Sequence, residues 1–371
     1  MACQKIAVHI GTHKTGTSAI QTSLEALKPE LKAHGWHYLD GGPNHSFLYL
    51  LFTESPETEH DMIKRGLGSP ALAACWVAET RARVARELRG VSSGNILISG
   101  EELCRLSPAS AQRFVDFLRC VTPEICVVCF VRSPIGYCLS DAQEGIKGGL
   151  TLSEVTEHPP VAKYRFYLEK YVKALGAANV HVLEYQPPSP QRQSGLGRLA
   201  ETIGLPPLFG QEAGRRNTNE SLSLEAALIL SQLNGRHPLY VDGATNPERG
   251  QLPMRWLRSL GSTPFSLPRA TLARSLLAAS DDVVWLQAFV GERWFASETI
   301  SPDLPGDGLT ADLTADLAFD IAGVLNDAAL LVQQTMCALL MDRKASAERR
   351  GDIAAAAKLE ANLQALELGR R

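Results

Sequence analysis

The sequence predicts an α/β protein: a parallel sheet with flanking helices, followed by a helical C-terminal extension. Four short runs of β-branched or apolar residues are bounded by Gly, Pro or polar residues, as buried parallel strands are. These runs cover 5–10, 95–99, 125–131 and 180–184. Helical patterns lie between them, and strands that alternate with helices favour a parallel sheet.

The helices are predicted from apolar spacing and from capping residues. The first has one apolar face, made by residues spaced four, three and four apart: Ile20, Leu24, Leu27 and Leu31. Pro29 either kinks this helix or begins a second one. In a later helix, Ser107 is a good N-cap and Pro108 suits the first helical position. The segment WHYLD predicts a short additional strand, and the other helices are predicted at 71–88, 107–118, 135–146 and 162–175.

Composition along the chain predicts three parts. Residues 1–235 carry the strand and helix alternation and are expected to form the α/β domain. Residues 236–308 are expected to be an irregular insertion that shapes a substrate cleft, because 237–269 contains five Pro and three Gly. Residues 309–371 predict a helical extension with a short apolar stripe of Ile353, Leu359, Leu363 and Leu366. That stripe fits either a homodimer or docking helix, or a helix packed on its own domain.

The overall charge excludes one class of function. The 371 residues include 37 Lys and Arg against 40 Asp and Glu, which gives a net charge of −3. A net charge this small and negative excludes binding of DNA by bulk electrostatics, and we expect no nucleic-acid partner. Any anionic ligand must therefore be held by a local cluster of residues.

The sequence also bears on location and on metal binding. No apolar run approaches the roughly 18 residues that span a bilayer, and the first residues lack the pattern of a secretory signal. We therefore expect a cytoplasmic protein without a transmembrane segment.

Among the eight Cys, Cys126 and Cys129 form a C-x-x-C pair, but a strand would place them on opposite faces. Buried thiols and no metal site are expected.

The strongest chemical signal is a Gly-rich loop between the first strand and the first helix. A strand, a loop of this kind and a helix N-terminus present backbone N–H groups to a phosphate, and glycines let the anion approach. Gly11 and Gly16 keep the spacing of a nucleotide-triphosphate loop, but Thr17 occupies the place of its Lys. The cation has moved inside the loop, to Lys14. We expect this Lys to lie beside the first phosphate and the group attached to it.

A second motif follows the strand at 125–131. Arg132 comes directly after the strand, and Ser140 follows eight residues later on the next predicted helix. A guanidinium offers a planar fork to a phosphate, and the Ser lies about two helical turns further on. Both motifs occur at the carboxyl end of a strand, where open α/β sheets bind ligands.

Together these motifs resemble those of the PAPS-dependent sulfotransferases, where PAPS is 3′-phosphoadenosine 5′-phosphosulfate. The Lys-x-Gly-Thr-[Ser/Thr] arrangement at 14–18 resembles their 5′-phosphosulfate-binding loop, and the Arg132 and Ser140 pair is similar to their 3′-phosphate motif. Weaker similarity continues through 180–185 and 216–223. The resemblance covers roughly residues 5 to 235 and is typical of bacterial members of the family.

The resemblance implies a P-loop NTPase-like sulfotransferase fold, PAPS as cofactor and 3′,5′-adenosine bisphosphate as product. The expected cofactor-binding residues are Gly11, Thr12, His13, Lys14, Thr15, Gly16, Thr17, Ser18, Arg132 and Ser140. Lys14 is also expected to act in catalysis, by neutralising charge on the leaving phosphate. No metal is required, because a sulfuryl group carries less charge than a phosphoryl group.

The general base is left open between two residues. In the resembled family it is a His or a Glu over the sulfuryl group. His45 follows the short strand WHYLD, and a His near neutral pKa suits proton removal from a hydroxyl group. Glu101 ends the strand at 95–99 and faces the same edge of the sheet. The family's Lys-Thr-His triplet is absent there, so the sequence does not choose between them.

The function expected from the sequence is sulfuryl transfer to a hydroxyl or amine of a carbohydrate or small-molecule acceptor. A Mg-dependent P-loop kinase-type enzyme is the first alternative, since the segment ILISGEE resembles a strand that ends in a metal-holding acid. A catalytically silent binding or scaffold protein on the same fold is the second. The displaced Lys and the Arg at 132 argue against the kinase.

Overall fold

The computed structural model describes residues 3–187, 189, 192–206, 221–241, 244–246, 257, 263–295, 298 and seven positions between 344 and 360. The chain divides into two units, 1–304 and 305–371. The predicted boundaries at 235 and 308 stay predictions. The predicted irregularity of 236–308 is corrected in part, because two helices lie within it, Arg269–Ala278 and Ser280–Val290. The first of these helices is rich in Ala and Leu, which are good helix formers.

A five-stranded parallel sheet forms the centre of the first unit and confirms the predicted fold class. Its strands are β1 (Lys5–His9), β2 (Trp36–Tyr38), β3 (Asn95–Ser99), β4 (Ile125–Val131) and β5 (Val180–Glu184). Their order in the sheet is β2-β3-β1-β4-β5. The central strand β1 pairs with β3 and β4, with Ile6 opposite Ile96 on one side and Ile125 on the other. Outside it, β6 (Tyr240–Val241) and β7 (Ala244–Thr245) form a small antiparallel pair.

Helices connect and cover the strands. In chain order they are α1 (Thr17–Ala26), α2 (Lys28–Ala33), α3 (Phe47–Phe52), α4 (His60–Lys64), α5 (Pro70–Gly90), α6 (Pro108–Arg119), α7 (Pro134–Lys147), α8 (Leu152–Glu157), α9 (Tyr164–Leu175), α10 (Gly195–Ile203), α11 (Leu224–Arg236), α12 (Arg269–Ala278) and α13 (Ser280–Val290). Pro29 lies in the first turn of α2, so the predicted break is a new helix. Ser107 caps α6 by accepting from the Ser110 N–H, as its sequence predicts.

The sheet separates two apolar clusters, which explains the alternation along β4. Cys129 packs with Ile6 and Val8 on one face, whereas Cys126 packs with Ala7 and Val128 on the other. Both thiols are free and buried, as expected for residues three apart on a strand. The full burial of β4 follows from helices on both faces of the sheet.

The carboxyl ends of β1, β3 and β4 meet at one edge of the sheet. Three segments therefore converge there: the Gly-rich loop, the 3-10 turn Glu101–Arg105, and the start of α7. In the ranges that the structure describes, no helix is long and apolar enough to cross a membrane. The predicted helical stretch near the C-terminus, with most of its apolar stripe, falls outside the described residues. Its Ile353 is described and is 83% exposed.

Candidate active site

Hydrogen bonds of Gly11 and Thr12 join the Gly-rich loop to β4. The Phe130 N–H donates to the Gly11 carbonyl at 2.6 Å, and the Thr12 N–H and hydroxyl both donate to the Phe130 carbonyl. The Thr15 hydroxyl donates to the Thr12 carbonyl at 2.6 Å. Thr12 and Thr15 are buried, so these two residues hold the loop from inside.

The backbone of the loop adopts the left-handed conformation at three positions. Gly11, Lys14 and Gly16 have φ of 91°, 64° and 75°, in the left-handed region. Gly16 is the N-cap of α1 and offers no side-chain cap. Within the part of the chain that the structure describes, no acceptor takes the backbone N–H groups of residues 13–18. A row of unpaired N–H groups at a helix N-terminus attracts an anion.

The ammonium group of Lys14 is held over the loop by α7. Its Nζ lies 2.9 Å from Glu144 Oε2, and Lys147 Nζ lies 3.7 Å from the same oxygen. The Lys14 side chain is mostly buried, whereas Glu144 is half-exposed. The carboxylate therefore fixes the cation of the loop from its solvent side.

Arg132 reaches the same loop from the end of β4. Its Nη1 donates to the Lys14 carbonyl at 3.1 Å, and its guanidinium lies 5.2 Å from the centre of the Tyr185 ring. The Tyr164 hydroxyl donates to the Arg132 carbonyl at 2.5 Å. Burial lowers the pKa of the Arg132 guanidinium from its ordinary value. The Tyr185 ring and the hydrogen bond to the Lys14 carbonyl thus hold the guanidinium in place.

Arg132 and Ser140 line one cavity, named here the Arg132 cavity. Its volume is about 430 Å³, a size usual for ligand pockets. The other residues that line it are Leu139, Gln143, Ser221, Leu222, Ser223, Thr263, Pro264 and Phe265. Gln143 Oε1 accepts from the Leu222 N–H and so ties α7 to the segment before α11. Of the segment 216–223, whose sequence resembles the family, residues 216–220 lie outside the described residues.

Acidic groups border the other side of the loop. The Thr17 hydroxyl donates to Glu101 Oε2. His13 lies between two carboxylates, with Nδ1 3.8 Å from Glu101 and Nε2 3.6 Å from Glu102. Ser18 is partly buried in the first turn of α1. Glu101 therefore contacts the loop directly and remains partly open to solvent.

His45 has a different environment. It is fully buried between the rings of Tyr38 and Phe47, and its Nδ1 accepts from the Ser99 N–H at 3.0 Å. Burial lowers its pKa to about 4. His45 thus connects its loop to the end of β3, and solvent does not reach it. The same holds for His9, buried in β1 2.8 Å from the Ser99 hydroxyl, with its pKa lowered to about 4 by burial.

A second cavity, named here the Asp141 cavity, lies on another face of α7. Its volume is about 490 Å³. It is lined by His13, Tyr49, Arg105, Tyr137, Asp141, Lys163, Phe166 and Tyr167. Burial raises the pKa of the Asp141 carboxyl, and the charges of Lys14 and His13 oppose that rise. The spacing of Tyr137, Asp141 and Glu144 places all three within about 60° around the helix axis, with Ser140 about 40° from Glu144 and about 100° from Asp141.

The structure adds residues that the sequence reasoning missed. Glu144 pairs with Lys14, Tyr185 stacks on Arg132, and Asp141 opens into a cavity beside the loop. One signal was available: Asp141 and Glu144 follow Ser140 within about one helical turn, so they share the helix that the second motif places at the site. Among the described residues, no group of three His, Cys, Asp or Glu could hold a metal ion.

Comparison with known proteins gives only distant structural likenesses. No protein-family model matches the chain, and no curated protein does. A sulfotransferase from Alicyclobacillus acidocaldarius is 11% identical over 80% of this chain and 99% of its own, with a TM-score of 0.34. A structure of the PezAT toxin-antitoxin system of Streptococcus pneumoniae is 12% identical over 65% of this chain and 89% of its own, with a TM-score of 0.28. The fold assignment therefore rests on the sheet and helices described above.

Proposed function

We propose that this protein transfers a sulfuryl group from PAPS to a hydroxyl or amine of a carbohydrate or small-molecule acceptor. The observation that carries the proposal is the pairing of two anion sites. The unpaired N–H groups of residues 13–18 form one, and the Arg132 guanidinium, bonded to the Lys14 carbonyl, forms the other. PAPS carries phosphate at both ends of its ribose, so two linked anion sites match it.

Each end of the nucleotide would meet a distinct set of groups. The loop N–H groups, with the Thr17 and Ser18 side chains nearby, would bind the 5′-phosphosulfate. Arg132 and Ser140 would bind the 3′-phosphate in the Arg132 cavity, where Arg132 offers a charge-assisted fork. The residues present fit the nucleotide, because a fixed cation and hydroxyl groups line the cavity beside its apolar residues, which suit the base and ribose.

Lys14 is the group proposed to stabilise charge on the leaving phosphate. Its ammonium lies above the loop and is held in a rotamer by Glu144. In the transfer, the acceptor oxygen bonds to sulfur, the bond from sulfur to the phosphate oxygen breaks, and that oxygen keeps the electron pair. A preorganised cation at that oxygen lowers the barrier, as in phosphoryl transfer.

Glu101 is favoured over His45 as the general base. It contacts Thr17 of the loop and stays open to solvent, whereas His45 is fully buried and engaged by the Ser99 N–H. A base must reach the proton that it removes, so access decides between them. Glu101 would take the proton of the acceptor hydroxyl group.

A Mg-dependent nucleotide enzyme is the second candidate, and one observation favours it. Glu101 accepts from Thr17, so an acid at the end of β3 lies against the loop, as a metal-holding acid would. Against it, the loop cation is Lys14 instead of residue 17, and Arg132 occupies the end of the neighbouring strand. A silent scaffold protein on this fold is the third candidate.

A thermal-shift experiment separates these candidates. A ligand at about 100 times its dissociation constant stabilises a protein by roughly 2.7 kcal/mol. The proposal predicts that 3′,5′-adenosine bisphosphate raises the melting temperature, while Mg·ATP at equal concentration does not. The reverse pattern would support the kinase-type enzyme. Binding of the bisphosphate without transfer of label from PAPS to any acceptor in an extract of the source cells would support the scaffold.

A further inference from the structure

The Asp141 cavity shares α7 with the Arg132 cavity, but no residue lines both of them. It adjoins the Gly-rich loop through His13, and its Asp141 is close enough to Lys14 for the two charges to interact. An in-line transfer needs the acceptor on the far side of the sulfuryl group from the nucleotide. A cavity beside the loop and separate from the Arg132 cavity suits that acceptor, and its volume of about 490 Å³ suits a small ring or a short chain of rings.

The charges that line this cavity balance. Arg105 Nη1 lies 2.6 Å from Glu102 Oε2, so its charge is already paired. The carboxylate of Asp141 offsets the exposed ammonium of Lys163. No excess of positive charge is left to attract an anionic acceptor. An uncharged acceptor is therefore favoured.

Asp141 contributes a carboxylate to the lining of this cavity. A carboxylate can accept about four hydrogen bonds, so the hydroxyl groups of a ligand would find acceptors there. Burial raises the pKa of the Asp141 carboxyl, and the charges of Lys14 and His13 oppose that rise.

The remaining lining is aromatic and amphipathic. Phe166 is 46% exposed, although apolar rings are usually buried. The hydroxyl groups of Tyr137 and Tyr167 lie 3.5 Å apart at the buried end. An exposed ring packs against the C–H face of a sugar, while tyrosine and carboxylate oxygens meet its hydroxyl groups. A simple phenol would contact the rings, but its single hydroxyl group is the reacting one, so no second hydroxyl would remain to donate to the carboxylate.

We propose that the Asp141 cavity binds the acceptor, and that the acceptor is an uncharged, polyhydroxylated ring such as a neutral sugar residue. Asp141 accepts a hydrogen bond from one ring hydroxyl and so orients another toward the sulfuryl group. This inference rests on the proposed sulfotransferase function, which supplies the group to be transferred. It makes Asp141 a specificity-determining residue in addition to the groups that bind the nucleotide.

The test uses the full chain and labelled PAPS with three sets of acceptors: neutral methyl hexosides and disaccharides, methyl glucuronoside, and simple phenols. Label is expected in the neutral sugars. Asp141→Asn is expected to lower their kcat/KM by about 5- to 10-fold, since the amide keeps an acceptor oxygen but loses the charge that strengthens the hydrogen bond. Asp116→Asn, on the solvent-exposed side of α6, is the matched control and should leave kcat/KM unchanged. Saturation-transfer NMR on the bisphosphate-bound protein measures sugar contact without turnover.

The outcomes separate this inference from the proposed function. If the bisphosphate does not stabilise the protein, the proposed function fails. If the bisphosphate binds but phenols or the glucuronoside are the labelled acceptors, or no neutral sugar is labelled, the acceptor class proposed here is overturned. Unchanged kcat/KM in Asp141→Asn, with its bisphosphate-induced thermal shift intact, would remove the role of Asp141.

Discussion

The guanidinium of Arg132 donates a hydrogen bond from Nη1 to the Lys14 carbonyl oxygen, 3.1 Å away. The two residues are 118 positions apart in the chain, and the pairing of β1 with β4 brings them together. One anion site is thus bonded to the backbone of the other. A ligand that carries two phosphate groups can contact both without moving either strand.

Lys14→Ala is expected to lower turnover strongly. The ammonium is proposed to neutralise the leaving oxygen, and loss of one preorganised donor costs on the order of 10²–10³ in kcat. Transfer of label from PAPS to the acceptor is the measurement. Lys147→Ala is the control, because Lys147 contacts the same Glu144 carboxylate from outside the loop. Activity of Lys14→Ala within a few-fold of the unchanged protein would remove Lys14 from the mechanism.

Glu144→Gln is expected to strengthen binding of the bisphosphate. The carboxylate places a negative charge beside the anion site and competes for Lys14, and a pair whose carboxylate is exposed contributes about 0.2–1 kcal/mol. The dissociation constant should fall by about two- to fivefold. Calorimetric titration measures it, with Glu169→Gln on α9 as a control that breaks distant ion pairs. Weaker binding in Glu144→Gln would contradict this prediction and would mean that positioning of Lys14 outweighs the competing negative charge.

Glu101→Gln is expected to reduce turnover, whereas His45→Gln is expected to reduce stability. Gln at 101 keeps an oxygen for the Thr17 hydroxyl but cannot take a proton, so turnover should fall by about 10² or more while bisphosphate affinity is kept. Gln at 45 removes a buried acceptor of the Ser99 N–H and should lower stability by about 1–3 kcal/mol. Turnover of each folded variant and its denaturant midpoint are the measurements. A larger loss of turnover in His45→Gln would restore His45 as the base.

Stability is expected to fall between pH 6.5 and pH 4. Burial lowers the pKa of His9 and His45 from 6.5 to about 4. In that window the unfolded chain binds protons that the folded protein does not, so the free energy of unfolding decreases as pH falls. For each His, the free energy of unfolding at pH 4 is lower by up to about 3 kcal/mol than it is above pH 6.5. Urea unfolding at several pH values measures this.

A matched pair of variants assigns that pH dependence to buried His. The change in the free energy of unfolding per pH unit should be smaller in His45→Gln than in the unchanged protein. It should be unaffected in His34→Gln, since His34 is exposed. A midpoint that does not vary between pH 6.5 and 4 would show that these rings are not held neutral.

The fold could be predicted because the strands are short apolar runs bounded by Gly, Pro or polar residues. The five strands of the sheet, the break before Pro29 and the Ser107 cap all follow from local patterns. The two helices within 236–308 could not be predicted in the same way. Their outward faces keep exposed apolar residues, Leu277 and Val284, so the alternation of apolar and polar positions is weak.

The candidate site was predicted in part. The proximity of Lys14 and Arg132 could be predicted because the loop and the strand end lie at the same edge of a parallel sheet, and their roles in binding stay predictions. Glu144 and Asp141 were missed because a helical pattern does not show which neighbour each face meets. His45 lies in a polar segment typical of an exposed turn, yet it is buried between Tyr38 and Phe47. Burial of a polar side chain depends on tertiary packing, which local sequence does not encode.

The measurement that tests the central claim most directly is calorimetric titration with 3′,5′-adenosine bisphosphate and with 5′-AMP, which lacks the 3′-phosphate. The account predicts that the unchanged protein prefers the bisphosphate by about tenfold or more, because Arg132 adds a charge-assisted bond. In Arg132→Ala that preference should disappear while 5′-AMP binding is kept. Equal affinity of the unchanged protein for both nucleotides, or no binding of either, would contradict it.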